Sequence, residues 1–595
     1  VSLTPSNPLP PLGPKDKFSP ELRIILASFL SILVIAGYLK YFGPKPPERP
    51  VQPNPPAVSG PSTPGMPNAA NNQSPSTAAP STPSTASAST AAASTVTGES
   101  QERSIIVENA LYRVEFSNRG AVVKSWQLKQ FRDDSKPPKT LDLVHNPAAV
   151  YNNTWPFALV MDDPELQKLA NTGLYKVSGD SSNFAAPADI TFTWSDGHLE
   201  ITKKFHFDHS YVLTVETTTL YNGSRVKAGL AWRGGFGDST VTNPAPITTV
   251  NVFYDESGKL TTIGYKKLDS PEKWGNVWQG GKSFVGIEDR YFAVVFLPPA
   301  DALTTPLETR YWRTFYPVKV NDKEEPEAVP EVAAATSTQP ERLRVFVGPK
   351  DYDLLKKMQP PLHSLVNFGW LEIIADPLFH GLKWIHSYVP NWGWSIVILT
   401  LLINMVLFPM RISSYKSTMK MQRVAPEIKQ IQDRYKKYKL NDPRKADMNK
   451  EVMAVYQREG INPVGSCIPQ LLQLPIWFGL YRALQGTIEL RHASWFGWIT
   501  DLSAKDPYYV LPLLMGVSMY AASRMTPMTT TDPQQAQMMK LMPIGMAGMF
   551  MIIPYPSGLA VYILTSSLVG VLQQWYLNRA HPQPAPAKPV RAAKK

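Results

Sequence analysis

Polar side chains recur at helical spacing inside long apolar runs, and these are the groups with chemistry to offer. Thr400 and Asn404 lie four apart in the run 394–410, and Gln470 and Gln473 lie three apart in 467–487. Tyr562, Ser566 and Gln573 share one face of 557–576. Uncharged polar groups of this kind join one buried helix to another by hydrogen bonds. Where several such faces converge, they can instead line a wet groove. The runs contain no Asp or Glu, which ion-coupled transport would call for. Arg482 is a cation set within a run, where it must snorkel or face water. Arg411 stands directly after 394–410.

Signatures of enzymatic chemistry fail on inspection. Gly275 with Gly281-Lys282-Ser283 approximates a phosphate loop, but its spacing is one residue too long. It also leads into the strand-like Phe284-Val285-Gly286-Ile287 rather than a helix. A β-turn is the expectation there. His206 and His209 are three apart on a strand pattern, so they point to opposite faces. The single cysteine, Cys467, excludes an internal disulfide framework or a multi-cysteine zinc site, and it reads as a small buried residue. No cofactor is implied.

The elements that hold the polar faces are apolar spans at 394–410, 467–487, 508–525, 538–555 and 557–576, preceded by a first span at 22–42. A cleaved signal peptide competes with this last reading, but no small-x-small site follows it. Between the second and third spans, Lys and Arg outnumber Asp and Glu more than two to one over 411–458. Val424, Ile428, Ile431, Tyr435 and Tyr438 recur at helical spacing. The pattern breaks at Asn441-Asp442-Pro443 and resumes at Met448, Val452, Val455 and Tyr456. This is a basic helical hairpin, expected over 411–461. Basic loops mark the cytoplasmic side, whereas the loop 488–506 is nearly neutral. The β domain described next is therefore expected outside, with both termini inside. The net charge of +12 sits near the spans and suits anionic lipid better than any specific nucleic acid.

The remaining chain divides by composition. Residues 1–21 form an N-terminal tail, and 43–102 a Pro/Ala/Ser/Thr linker with too little apolar surface to fold. Residues 103–350 form an all-β domain of sandwich size. Ile201, Lys203, Phe205 and Phe207 alternate with polar neighbours there, and Asn222-Gly223, Ser257-Gly258 and Gly280-Gly281 punctuate the strands. Lys323 to Gln339 is expected to be a loop. Residues 351–393 carry amphipathic interfacial helices, with Trp370, Trp384, Trp392 and Trp394 as an aromatic belt. The core 394–576 ends in a basic tail, 577–595. Met525, Met528, Met538, Met539, Met542, Met546, Met549 and Met551 crowd one region, either as lipid-facing packing or as an adaptable contact surface. The fold class is thus a multi-pass α-helical membrane protein of about six spans, five forming the core, with an all-β sandwich and a cytoplasmic hairpin.

Several stretches in one order resemble the YidC-type membrane protein insertase family, in its Gram-negative form with a large periplasmic domain. They are Pro377-Leu378-Phe379, Leu382 to Ser387, Asn391-Trp392-Gly393, Ile461-Asn462-Pro463 with Gly465 and Cys467, and Gln473-Leu474-Pro475-Ile476. Asp501-Leu502-Ser503, Asp506-Pro507-Tyr508-Tyr509 and Pro556-Ser557-Gly558-Leu559 continue the series, and Asp289-Arg290-Tyr291-Phe292 is similar within the β domain. The resemblance implies an inner-membrane insertase whose clients are nascent membrane proteins. Its implied partners are the Sec translocon, the ribosome and membrane lipids. It further implies a periplasmic sandwich similar to sugar-processing folds and a groove closed outside. The family's groove arginine aligns with Asn404, and its nearby threonine with Thr400. The last-span groove position falls at Ile563, beside Tyr562, and Arg482 stands where a tyrosine is usual. The groove and client-binding candidates are then Thr400, Asn404, Gln473, Arg482, Tyr562, Ile563 and Arg411, with Arg482 or Arg411 supplying displaced positive charge. Two other classes compete. A solute or lipid transporter would need a midplane site and inverted repeats, and neither is visible. A membrane-anchored sugar-binding or cell-wall protein would need only one span.

Overall fold

The computed structural model describes residues 95–581, apart from 180, 241–249, 269–276, 321–322, 338–339, 367, 439–441, 462–467, 527–532 and 554. The expected first span, the linker up to residue 94, Cys467, Met528 and the tail beyond 581 lie outside the described residues, as do the side chains of Gln470, Met538 and Met539.

Residues 104–349 form three sheets around a large apolar core, with a smaller cluster of Val160, Ala231, Trp312 and Ala333 beside it. Strand Leu199–Phe207 shows how the alternating sequence becomes a wall of that core. Leu199, Ile201, Phe205 and Phe207 turn inward while their neighbours face outward. It pairs antiparallel with Val212–Tyr221 inside a ten-stranded sheet. A five-stranded sheet containing Tyr112–Ser117 and Val122–Arg132 covers it, and a second five-stranded sheet contains Leu307–Val320 and Lys323–Thr336. The layers meet through aromatic rings. Phe116 lies 5.0 Å from Phe205, and Phe157 touches Phe205 at 5.6 Å and Trp232 at 6.1 Å. The turn at Asn222-Gly223 has φ of 49° and 73°, the backbone a tight hairpin demands.

Lys203 shares this inward alternation but is fully buried. Its Nζ donates to the carbonyls of Gly120 at 2.7 Å, Phe157 at 2.8 Å and Ala121 at 3.3 Å. One lysine thereby satisfies three buried backbone acceptors in a different part of the sandwich.

Two strand expectations are corrected. Lys323 to Gln339 is not a loop: Lys323–Thr336 is a strand paired along its length with Leu307–Val320. Its prolines misled. Pro326 faces Pro317 in the register, and two opposed prolines can occupy only a non-hydrogen-bonded pair, so neither removes a ladder bond. Both Pro326 and Pro330 precede Val332–Ala334, where the third strand joins, so among the described residues neither has a ladder partner on the side away from Leu307–Val320, a setting in which proline is tolerated. Gly280-Gly281 is not a turn either. It lies within strand Gln279–Lys282, whose register shifts by a bulge, with Gly281 at φ 80°. Lys282 pairs with Glu256 at 2.9 Å. His206 lies 2.7 Å from Asp189 on the adjacent strand, while His209 lies beyond the strand's end.

From residue 372 the structure is helical: α1 (Glu372–Tyr388), α2 (Trp392–Arg434), α3 (Arg444–Arg458), α4 (Ile468–Gly486), α5 (Val510–Met525), α6 (Pro533–Ile552) and α7 (Ser557–Ala580). α1 buries Ala375, Phe379, Leu382 and Ile385 and exposes Ile373, Trp384 and Tyr388, the two faces of an amphipathic helix. Among the described residues, α2 and α7 have both the length and the apolarity to cross a bilayer, and Val510–Met525 and Leu541–Ile552 are shorter apolar helices. The helix that carries the span 394–410 runs on past Arg411 to Arg434. α2 continues through Pro409, whose ring is exposed, so the span and the first arm of the basic region are one helix.

The amphipathicity of α2 is inverted relative to a soluble helix. Met405 and Val406 are 72% and 77% exposed, whereas Thr400 and Asn404 are 0% and 4% exposed. The apolar face is thus offered to lipid and the polar face to neighbouring helices. The loop after α4 covers one end of the bundle. Leu490, Ile499 and Leu502 sink into the helical core. The first free N–H groups of α7, at Ser557 and Gly558, donate to the carbonyls of Ala504 and Leu502 at 2.7 and 2.8 Å.

Residues Gln430–Gly460 form a compact unit of their own. Within it, Arg434 Nη2 and Tyr435 Oη both donate to the carboxylate of Glu451 on α3, at 2.7 and 2.8 Å.

Candidate functional site

Polar side chains from α2, α4 and α7 meet in one seam. Asn404 Nδ2 donates to the Thr400 carbonyl at 2.8 Å and crosses to Ser566 Oγ on α7 at 3.3 Å. Gln473 Nε2, from α4, donates to Tyr562 Oη at 3.0 Å and lies 3.5 Å from Ser566 Oγ. Gln573 Nε2 donates to the Asn404 carbonyl at 3.3 Å. Its Oε1 accepts from Arg411 Nη1 at 2.8 Å. Asn404, Gln473, Tyr562, Ser566, Gln573 and Arg411 therefore form one connected chain of hydrogen bonds. Thr400 borders it but spends its hydroxyl on its own helix, donating to the Ile396 carbonyl at 2.7 Å.

Helical phase explains the gathering. Positions 400, 404 and 411 differ by whole turns to within a fraction of a residue, so α2 presents all three on one face. Arg411 lies about 10 Å along the axis from Asn404, at about 1.5 Å per residue. Its guanidinium rests on Gly570, where an added Cβ would lie 2.9 Å from Nη2. Any larger residue at 570 would displace the cation. No carboxylate pairs with Arg411 among the described residues, which leaves a half-buried cation in an uncharged polar setting.

Arg482 does not join. Nine residues separate it from Gln473, about two and a half turns, so it lies on the opposite face of α4 and is exposed. Ile563 is buried among apolar side chains beside the seam and Tyr562 is almost wholly buried. On the basic arm, Val424, Ile428 and Ile431 are buried, and Tyr435 and Tyr438 are half-buried with rings 6.1 Å apart. Met542, Met549 and Met551 are exposed on α6.

Sequence reasoning did not identify Gly570, whose only signal was its phase on α7 relative to Gln573. It also missed a second polar tie. Tyr415 Oη donates to Asn578 Oδ1 at 2.9 Å, and Asn578 Nδ2 donates to the Met525 carbonyl at 2.9 Å, binding α2, α7 and the end of α5 together.

The polar seam thus lies among apolar helices, beneath a covering loop and in the same chain as a large β domain. Residues 384–584 match the family described as 60Kd inner membrane protein, and residues 104–381 match the YidC periplasmic domain. A membrane protein insertase YidC of Syntrophus aciditrophicus is 33% identical over 82% of this chain and 87% of its own. That of Geobacter sulfurreducens is 33% identical over 94% of this chain and 98% of its own. A solved structure titled active YidC insertase with the first transmembrane domain resolved covers 82% of this chain and 95% of its own, at 18% identity and a TM-score of 0.34. The chain belongs to the YidC family of membrane protein insertases. This membership places it in the inner membrane, with a periplasmic β-sandwich domain and a helical membrane region.

Proposed function

We propose that the chain inserts newly made proteins into the inner membrane, and helps them fold, by way of the seam between α2, α4 and α7. The seam carries the reading: it sets amides, hydroxyls and the Arg411 guanidinium, which has no carboxylate partner among the described residues, where hydrocarbon would otherwise be continuous. A charged or polar client end entering lipid costs several kcal/mol. Water and polar side chains part-way across shorten that dry path. Burial of the client's apolar helix, at about 25 cal/mol per Å², then drives completion without nucleotide. In this reading Thr400, Asn404, Gln473 and Tyr562 keep the groove wet, Ile563 gives it an apolar wall, and Arg411 supplies the positive charge.

The full architecture has about six spans, with the first at 22–42 and five in 394–576, and a linker from 43 that ends earlier than the expected 102, because Thr97 already bridges Ser195 of the sandwich and the Glu99 amide donates to the Leu174 carbonyl at 2.9 Å; the sandwich runs on to 350. Interfacial helices occupy 351–393, and the termini and hairpin 411–461 face the cytoplasm. The hairpin, with Val424, Ile428, Ile431, Tyr435 and Tyr438 on one face, receives the emerging chain or contacts the ribosome and lipid headgroups. The Sec translocon is a further partner.

A photocrosslinking amino acid at position 404 tests the groove. A stalled nascent membrane protein should crosslink there and lose the crosslink when its apolar segment is replaced by a polar one. A position 404 that never meets substrate would overturn the reading.

A further inference from the structure

The segment Gln485–His492 links the outer end of α4 to the loop that covers the bundle, and the β domain grips it from several sides. Ile488 is buried in the β-domain core, while Leu490, two residues on, is buried in the helical core. Arg290 Nε donates to the Gln485 carbonyl at 2.8 Å. Arg491 is held most firmly. Its side chain is 5% exposed, Nη2 donates to Asp238 Oδ2 at 2.8 Å, and Asp134 Oδ1 lies 3.4 Å away. The guanidinium lies over the rings of Phe292 and Tyr291 at 5.5 and 5.7 Å. His492 Nε2 is 3.0 Å from the same Asp134 oxygen. Thr240 fixes both carboxylate-bearing residues: its N and Oγ1 donate to Asp238 Oδ1 at 2.9 and 2.6 Å, and its Oγ1 accepts from the Asp134 amide at 2.9 Å.

We propose that this clasp makes the β domain the outer seal of the membrane core, with Arg491 as the positioning residue that keeps the covering loop shut. The inference rests on the hydrated seam proposed above. If water reaches Asn404 and Gln473 from one side, the loop 488–509 is what separates it from the other side. Surface loops open locally at little cost unless they are anchored. Here the anchor is a buried guanidinium shared by two carboxylates, and withdrawing it would strand charge away from solvent. Sealing and insertion are then separable properties. The clasp serves the permeability barrier and lies outside the groove.

The test uses the full chain in proteoliposomes with a trapped pH-sensitive dye and, in parallel, insertion of a client with an uncharged tail. Arg491→Met should raise passive proton leak at least fivefold with insertion unchanged. Asp134→Asn, which removes only the more exposed partner, should raise leak less, and Arg491→Lys should stay near the starting level. Adding Asn404→Leu and Gln473→Leu to the Arg491→Met background should abolish the extra leak by drying the seam. The proposal is overturned if Arg491→Met and Asp134→Asn vesicles are no leakier than the parent, or if the leak survives drying of the seam. Failure of the parent chain to insert the uncharged-tail client would instead overturn the insertase reading, so the two failures are distinct.

Discussion

Two basic residues define opposite uses of positive charge in this chain. Lys203 is structural. Burial pushes its ammonium down from 10.5 to about 7, while three carbonyls hold it in place. Lys203→Met would leave those acceptors without a donor and should cost about 2–4 kcal/mol of β-domain stability. The difference should depend on pH with a definite sign. An unfolded lysine keeps its proton to about 10.5, so between pH 7 and 10 the unfolded state binds more protons than the folded state. Stability contributed at this position should therefore rise with pH across that window in the parent and show no such rise in Lys203→Met, as read by denaturant melts of the two proteins. Arg411 is the opposite case, a cation with no carboxylate among its described neighbours. Arg411→Gln should lower insertion of acidic-tailed clients about fivefold, the equivalent of about 1 kcal/mol, and leave uncharged-tail clients unaffected. Arg482→Leu should change neither, because that side chain faces away from the seam. A loss with Arg482→Leu alone would reverse these roles.

At the scale of elements, sequence period gave the strands and helices wherever one period ran unbroken. Leu199–Phe207 and the polar face of α2 are both legible from spacing alone, since burial selects every second residue in a strand and every third or fourth in a helix. Failures arose where local chemistry pointed away from tertiary context. Pro326 and Pro330 read as loop formers until the strand's pairing is known, and Gly280-Gly281 reads as a turn until its partner strand reveals a bulge. The site was legible as polar residues on helical faces. Which faces converge was not, because the choice between Arg411 and Arg482 depends on how α2, α4 and α7 are arranged. The covering loop carries the element-scale prediction. Asp506 is 4% exposed; its Oδ1 accepts from Trp498 Nε1 and the Tyr508 amide at 3.0 Å, and its Oδ2 from the Leu511 amide at 2.6 Å. The carboxylate thus ties the loop to the start of α5 and satisfies amides a helix start leaves free. Asp506→Asn replaces one acceptor oxygen by a donor and should destabilise the helical core by about 1–3 kcal/mol, measured as a lower melting temperature in detergent. Unaltered melting would mean that water substitutes for the carboxylate.

For the molecule as a whole, the question is whether the helical region works without the sandwich. Two large apolar cores stand out among the described residues. One, containing Ile396, Leu480, Leu502, Met515 and Tyr562, is made from helices and the covering loop alone. The other is the β-domain core, yet Phe379, Ala375, Ala483 and Ile488 belong to it. Removing the β domain would spare every partner in the seam but uncover these side chains, at about 1.5–3 kcal/mol for each large one. A chain of residues 351–595 should therefore still insert an uncharged-tail client at a rate comparable to the full protein. It should melt at a lower temperature and, with the Arg491 clasp gone, leak protons when reconstituted. A receptor or wall-active enzyme would behave in the opposite way, because its activity would reside in the domain removed. Complete loss of insertion by a 351–595 chain that remains folded in detergent would move the working part of the molecule from the seam to the sandwich.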